Sequence, residues 1–117
     1  MPAFRPCVVI PTYDNPATIR TVVEQAREYL ADVIVVDDGS HAPGREACES
    51  LARAGLAQVQ HRARNGGKGA AVKDGLALAQ RLGFSHAVQV DGDGQHDLAQ
   101  IPRFLGLAQQ RPEALIL

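Results

Sequence analysis

Two carboxylates and an amide follow one another closely in the segment VDGDGQHD (residues 90–97). Asp91 and Asp93 are separated by one glycine, and Gln95 follows two residues later. Hard divalent cations such as Mg²⁺ and Mn²⁺ take oxygen ligands from one or two carboxylates and complete their shell with water and phosphate oxygens. Two like charges this close repel each other, and a bound cation removes that penalty. The spacing therefore predicts a Mg²⁺ or Mn²⁺ site, although an ordinary surface turn has a similar composition.

A second candidate is the glycine-rich segment RARNGGKG (residues 62–69). Its glycines allow close approach of the backbone to a ligand, and a helix that starts here would favour an anion at its N-terminus. Lys68 adds a positive charge, and Arg62 and Arg64 precede it. Gly69 stands where a Walker A loop has Ser or Thr, so the segment is not of that type. We interpret it as a phosphate site, with a solvated glycine turn as the alternative.

A further acidic pair, Asp37 and Asp38, follows another apolar run. One of these carboxylates could accept hydrogen bonds from a base N–H or from ribose hydroxyls, and the other could cap the next helix or pair with a neighbouring loop. Ser40 is interpreted as a helix cap because no His–Asp relay surrounds it. The three segments together predict a metal-assisted nucleotide-diphosphate site, in which a cation stabilises the charge that develops on the departing diphosphate.

Five apolar runs with the composition of buried strands alternate with helical patterns. The strands are predicted at 7–11, 33–37, 56–61, 86–91 and 113–117. The helices are predicted from the Asn15 cap and Pro16 to about residue 30, and over about 43–54, 68–82 and 98–109. This alternation predicts a Rossmann-like, doubly wound α/β fold with a mainly parallel sheet and helices on both faces. The polar segments then share the carboxyl edge of the sheet, where such folds bind ligands.

The helix predicted over 68–82 has an apolar periodicity that identifies the side chains expected to face the sheet. Those side chains are Val72, Leu76, Ala79 and Leu82. Gly83 is expected to end this helix.

The composition of the 117-residue chain is that of one ordinary globular domain, with 45% hydrophobic residues and a formal net charge of -1. No overall positive field is available to hold nucleic acid, so any anion site must be local. Cys7 and Cys48 fit neither a metal-ligand spacing nor a disulfide framework, which indicates a reducing compartment. No apolar run reaches membrane-spanning length, and a cytoplasmic location is expected. The strand predicted at the end of the chain suggests that residues 1–117 form the first part of a larger domain.

Four motifs together resemble a known family: VVIPTYDN, VIVVDDGS, NGGKGAAVKDGL and VQVDGDGQHD. Their order and spacing are similar to those of family-two inverting glycosyltransferases with the GT-A fold, and among these to dolichyl-phosphate mannose and glucose synthases and their bacterial polyprenyl-phosphate counterparts. The resemblance implies a UDP- or GDP-linked sugar donor, a Mg²⁺ or Mn²⁺ cofactor, and transfer of the sugar with inversion to an acceptor such as a polyprenyl phosphate. It also implies a peripheral position at the membrane for the full-length protein.

The resemblance assigns donor contacts to particular residues of this chain. Pro11, Tyr13 and Asp38 would contact the nucleoside, and Lys68 would approach the donor from the GKG part of its motif. Asp14 is also expected at the donor. It occupies the turn where the family commonly has Asn-Glu after the tyrosine, whereas this chain has Asp-Asn.

The resemblance also assigns the acidic motif. Asp91, Asp93 and Gln95 match a D-x-D-x-Q pattern, in which Asp93 and Gln95 would ligate the metal directly and Asp91 would serve both metal and substrate. The general base of many inverting members would lie beyond Leu117, so no catalytic residue is assigned within this chain. A phosphate acceptor is already an anionic nucleophile and needs no such base. We therefore expect the chain to bind donor and metal but to transfer sugar poorly, if at all, by itself.

Two other classes of α/β protein, and a purely structural domain, are alternatives to this interpretation. A sugar-phosphate nucleotidyltransferase would carry a glycine-rich phosphate signature directly after the first strand, where this chain has PTYDNPATI. A receiver-like signalling module would carry its acids after the first and third strands, whereas here they follow the second and fourth. A structural domain would make the four polar strand ends coincidental.

Overall fold

The computed structural model describes residues 3–94 and 97–110. In this part of the chain, strands and helices alternate as predicted. The elements are β1 (Pro6–Thr12), α1 (Ile19–Arg27), β2 (Val33–Asp37), α2 (Ala42–Arg53), β3 (Gln58–His61), α3 (Lys68–Arg81), β4 (His86–Gln89) and α4 (Gln100–Gln109). The strand predicted at 113–117 lies outside the described residues.

The four strands form one parallel sheet in the order β3-β2-β1-β4. Strand β1 lies between β2 and β4, with Val8 beside Val33 on one side and beside Val88 on the other. Because the strand order reverses at β1, the loops that leave β1 and β4 diverge and open a crevice at the carboxyl edge. The predicted α/β fold class is confirmed.

The central strands are apolar on both faces because helices cover both faces of the sheet. Val8 and Ile10 belong to a core shared with α1, α2 and α4. Cys7 and Val9 point to the other face and belong to a smaller core shared with α3. All four side chains are fully buried. This two-sided burial explains why β1 reads as a continuous apolar run.

Helix α3 approaches the sheet closely because its inner face is made of small residues. Ala71, Gly75 and Ala79 are its buried positions. A Cβ atom on Gly75 would lie 2.5 Å from Val9 Cγ1 and 3.0 Å from Val36 Cγ2. Glycine at this position therefore sets the distance between α3 and the two central strands.

The predicted inner face of α3 was partly wrong. Leu82 lies just beyond the helix and is 37% exposed, and Val72 is only half-buried, whereas Ala79 is buried and the half-buried Leu76 packs against the smaller core as predicted. Apolar periodicity identifies large side chains, whereas close helix–sheet packing selects small ones. Gly83 follows with φ +87°, the left-handed conformation expected of a residue that ends a helix.

The predicted start of α1 was also wrong. The helix begins at Ile19 with Thr18 as its N-cap, three residues after Pro16. The Asn15 side chain donates to Thr12 Oγ1 at 2.9 Å instead of capping the helix. The residues before the helix form turns, and the amides of Thr18 and of Ile19, the first helical residue, both donate to the Asn15 carbonyl. The polar loop after β1 is therefore longer than predicted.

Within residues 3–94 and 97–110, no helix has the length and apolar character needed to cross a membrane.

Candidate functional site

A cleft of about 440 Å³ opens at the carboxyl edge of the sheet, between the ends of β1 and β4 and the first turn of α3. Six of the predicted site residues line it: Pro11, Tyr13, Asp38, Lys68, Asp91 and Asp93. Asp14 lies next to this cleft, in the turn that follows Tyr13, and Gln95 lies outside the described residues. The structure therefore brings residues from four separate motifs to one place.

The acidic end of the cleft is formed by the turn after β4. Asp91 is half-buried, and its Oδ1 lies 3.0 Å from Lys68 Nζ and 3.3 Å from Gln89 Nε2. Gly92 is buried, and a Cβ atom there would lie 2.9 Å from the Pro11 carbonyl oxygen. This glycine lets the turn approach β1, so that Asp91 and the exposed Asp93 both reach the cleft.

The basic side of the cleft is the first turn of α3. Gly67 precedes the helix with φ +94°, and the helix starts at Lys68. The unpaired amides and the dipole at a helix N-terminus favour an anion, and the Lys68 ammonium adds to the positive charge. Lys68 precedes Asp91 by 23 residues in the chain, and the fold brings the two opposite charges together.

Asp38 organises the glycine-rich segment. The carboxylate is buried, and it accepts hydrogen bonds from Arg62 Nε at 2.8 Å, Asn65 Nδ2 at 3.1 Å, Gly66 N at 3.0 Å and Gly67 N at 2.8 Å. Two backbone amides and two side chains are thus held by one residue. Asp38 fixes the path by which the chain enters α3, in addition to lining the cleft.

Arg62 is occupied by acidic partners. It pairs with Asp38 and with Asp74 of α3, and its side chain is 22% exposed. Its charge is therefore compensated within the protein. The sequence-based grouping of Arg62 with Lys68 in one anion site was wrong on this point, because the partners of Arg62 lie 24 and 12 residues away in the chain.

Asp37 has a structural role. It is fully buried, its Oδ1 accepts from the Ser40 amide at 3.0 Å, and its Oδ2 lies 2.6 Å from His61 Nδ1. The Ser40 hydroxyl in turn accepts from the Asp14 amide at 2.9 Å. Ser40 therefore joins the loops that follow β1 and β2, and Asp37 holds the start of the second loop against His61 at the end of β3.

Asp14 and His41 join the same two loops at the surface. Asp14 has φ +52°. Its Oδ1 accepts a hydrogen bond from the His41 backbone N at 2.7 Å, and its Oδ2 lies 2.7 Å from His41 Nδ1. The hydrogen bond from the His41 side chain, followed by that from its backbone, lowers the pKa of Asp14. The His41 ring centroid lies 6.2 Å from that of Tyr13. The predicted contact of Asp14 with the donor stays a prediction.

The carboxylates at the acidic end of the cleft could supply only some of the oxygen ligands that a divalent cation requires. Among the described residues, no cluster of three or more His, Cys, Asp or Glu side chains could enclose an ion. The two carboxylates at 91 and 93 suit instead an ion that takes its other ligands from water and substrate phosphates. Cys7 and Cys48 are buried in the core, and burial raises the pKa of each thiol to about 12, as expected of inert core residues.

Comparison with known proteins identifies the family. The family "Glycosyl transferase family 2" matches residues 7–117 of the chain. The chain belongs to glycosyl transferase family 2. It is 35% identical over 108 residues to a polyprenol monophosphomannose synthase of Mycolicibacterium smegmatis. The aligned region covers 89% of this chain and 41% of that protein. It is 32% identical over 105 residues to an undecaprenyl-phosphate mannosyltransferase of Micrococcus luteus, which covers 87% of this chain and 43% of that protein.

The fold is similar to that of a solved protein. A crystal structure of residues 1-349 of S. aureus TarS superposes with a TM-score of 0.67 and 19% identity, over 92% of this chain and 33% of that one. A second, in complex with UDP, gives a TM-score of 0.65 and 21% identity, over 91% and 33% of the two chains. The predicted family and its Rossmann-like GT-A fold are thereby confirmed. The chain spans less than half the length of each of these similar proteins.

Proposed function

We propose that this chain is the donor-binding part of an inverting, metal-dependent glycosyltransferase that uses a nucleotide-diphosphate sugar. One observation carries the proposal: the cleft places Asp91 and Asp93 opposite the N-terminus of α3 and Lys68. A site with carboxylates on one side and helix amides with an ammonium on the other suits a diphosphate whose charge is shared between a cation and the protein.

Each part of the cleft has a distinct task in this proposal. Asp91 and Asp93 would hold Mg²⁺ or Mn²⁺, which when bound stabilises negative charge on the departing diphosphate. The first turn of α3 and Lys68 would bind the diphosphate oxygens. Pro11 and the exposed Tyr13 ring would contact the nucleoside at the end of β1.

The reaction is a single displacement at the anomeric carbon. The bond from this carbon to the diphosphate oxygen breaks as the bond to the acceptor oxygen forms on the opposite face, which inverts the configuration. A phosphate acceptor brings its own negative charge and needs no general base from this chain. The names of the two mannosyl-transferring relatives support a polyprenyl phosphate as acceptor. A lipid of that class would place the full-length protein at a membrane surface.

The test is a thermal-unfolding panel of nucleoside diphosphates and nucleotide sugars, each with and without Mn²⁺. A ligand at 100 times its Kd stabilises the folded state by about 2.7 kcal/mol. We expect stabilisation by UDP or GDP compounds that increases with Mn²⁺. The increase should disappear in Asp93→Ala and persist in Asp32→Ala, which removes an exposed carboxylate at the opposite edge of the sheet. Stabilisation by nucleotide that does not change with Mn²⁺, or the absence of stabilisation by any nucleotide, contradicts the proposal.

A further inference from the structure

The ion pair between Lys68 and Asp91 crosses the cleft where the proposed function places the cation. The ammonium lies 3.0 Å from Asp91 Oδ1, on the carboxylate that the cation would use. The Lys68 side chain is 61% exposed and that of Asp91 is 33% exposed. The contact is therefore accessible to solvent and reversible.

We propose that Lys68 is an internal counter-ion that exchanges between Asp91 and the diphosphate, and so couples the binding of nucleotide to that of the cation. This inference rests on the proposed function. Without nucleotide, the Lys68 ammonium neutralises Asp91 and competes with a divalent ion for the carboxylate. With nucleotide, the ammonium turns to the diphosphate and the carboxylate becomes available to the ion.

The position of Lys68 makes the exchange physically simple. Its backbone is fixed at the first residue of α3, while its flexible four-carbon stem lets the ammonium change partner without a backbone movement. Arg62 offers a contrast within the same segment, because its planar guanidinium is held by both Asp38 and Asp74. Of these two basic side chains, Lys68 is the largely exposed one, and its ammonium can therefore leave Asp91 for an incoming anion.

The size of the effect follows from the exposure of the pair. Exposed ion pairs contribute free energies that correspond to a roughly two- to fivefold change in an equilibrium constant. Releasing Asp91 should therefore strengthen binding of the cation by about that factor. Linkage is reciprocal, so the cation should strengthen nucleotide binding by an equal additional factor.

The experiment measures Mn²⁺ affinity from the electron paramagnetic resonance signal of free Mn²⁺, with and without saturating UDP or GDP. Three proteins are compared: wild type, Lys68→Met, and the control Lys73→Met, which removes the same charge from an exposed position of the same helix. In Lys68→Met we expect roughly two- to fivefold tighter Mn²⁺ binding without nucleotide, and an enhancement by nucleotide that is smaller by a similar factor. Lys73→Met should resemble wild type in both measurements.

The outcomes separate this inference from the proposed function. If wild type binds nucleotide and Mn²⁺ but Lys68→Met binds Mn²⁺ no more tightly than wild type, the counter-ion role is refuted and the proposed function stands. Equal gains in Lys68→Met and Lys73→Met indicate a general field effect and also refute the exchange. If wild type binds neither ligand, both the inference and the proposed function fail.

Discussion

Substitution of Asp38 tests how the cleft is built. In Asp38→Ala the two amides of Gly66 and Gly67 lose their acceptor, and Arg62 loses one of its two carboxylate partners. The entry into α3 is then no longer held against the end of β2. We expect lower stability together with loss of nucleotide binding, because the first turn of α3 loses its position.

The magnitude follows from burial. Asp38 is 3% exposed, but the Gly66 and Asn65 donors are exposed and Gly67 is half-buried, so water can partly replace the lost acceptor, and each lost hydrogen bond costs about 0.5–1.5 kcal/mol. Breaking a fully buried ion pair costs roughly 3–5 kcal/mol. Arg62 is partly exposed and keeps Asp74 as a partner, so losing its ion pair with Asp38 costs less than this. We expect a total loss of about 2–4 kcal/mol in the free energy of unfolding.

The assay is urea unfolding followed by circular dichroism, with Asp38→Asn and Asp32→Ala as comparisons. The asparagine variant keeps one acceptor oxygen and should lose less stability than the alanine variant. Asp32 is exposed at the amino edge of the sheet, and its replacement should change stability by no more than about 0.5 kcal/mol. A loss below about 1 kcal/mol in Asp38→Ala would refute the role of this carboxylate as the organiser of the glycine-rich segment.

Three further predictions concern single positions. Gly75→Ala forces a methyl group to within 2.5 Å of a β1 valine and should destabilise the protein by about 1–3 kcal/mol in the same unfolding assay. The control Gly106→Ala has open space around its position in α4 and should stabilise the protein by up to about 1 kcal/mol. Equal effects of the two substitutions would contradict the close packing of α3. Gly39→Ala combines φ +76° with a Cβ atom 2.5 Å from the backbone of the glycine-rich segment, so it should lower the melting temperature and weaken nucleotide binding; an unchanged nucleotide Kd would show that the two loops tolerate separation. Because the pKa of Asp14 is lowered, its contact with His41 stabilises the fold at pH values above the ordinary carboxyl pKa of 3.8. This stabilisation is lost as the pH falls through the lowered pKa of the folded protein. His41→Ala should raise the Asp14 pKa measured by NMR part of the way to 3.8, because the backbone hydrogen bond remains, and an unchanged pKa would show that the His41 side chain does not lower it.

The arrangement of strands could be predicted from sequence because burial on both faces leaves a strong local signal. The runs CVVIP and VIVVD lie within β1 and β2. The inner face of α3 could not be predicted in the same way. Its buried positions include Ala71 and Gly75, whose selection depends on the distance to the strands rather than on apolar periodicity.

The site was predictable to the extent that parallel strands share a carboxyl edge. That rule places Tyr13, Lys68 and Asp91 in one cleft from the order of the elements alone. It does not show which charges are already paired. The contacts of Lys68 with Asp91 and of Arg62 with Asp38 join residues 23 and 24 positions apart, and only the folded chain decides such pairs.

The most direct test of the central claim is the position of manganese in crystals grown with Mn²⁺ and the nucleoside diphosphate that stabilises the protein best. We predict an anomalous peak in the cleft, bonded to a carboxylate oxygen of Asp91 or Asp93 and to oxygens of the diphosphate, with Lys68 turned towards the phosphates. A nucleotide bound elsewhere, or one in the cleft with manganese absent from both carboxylates, would contradict the account.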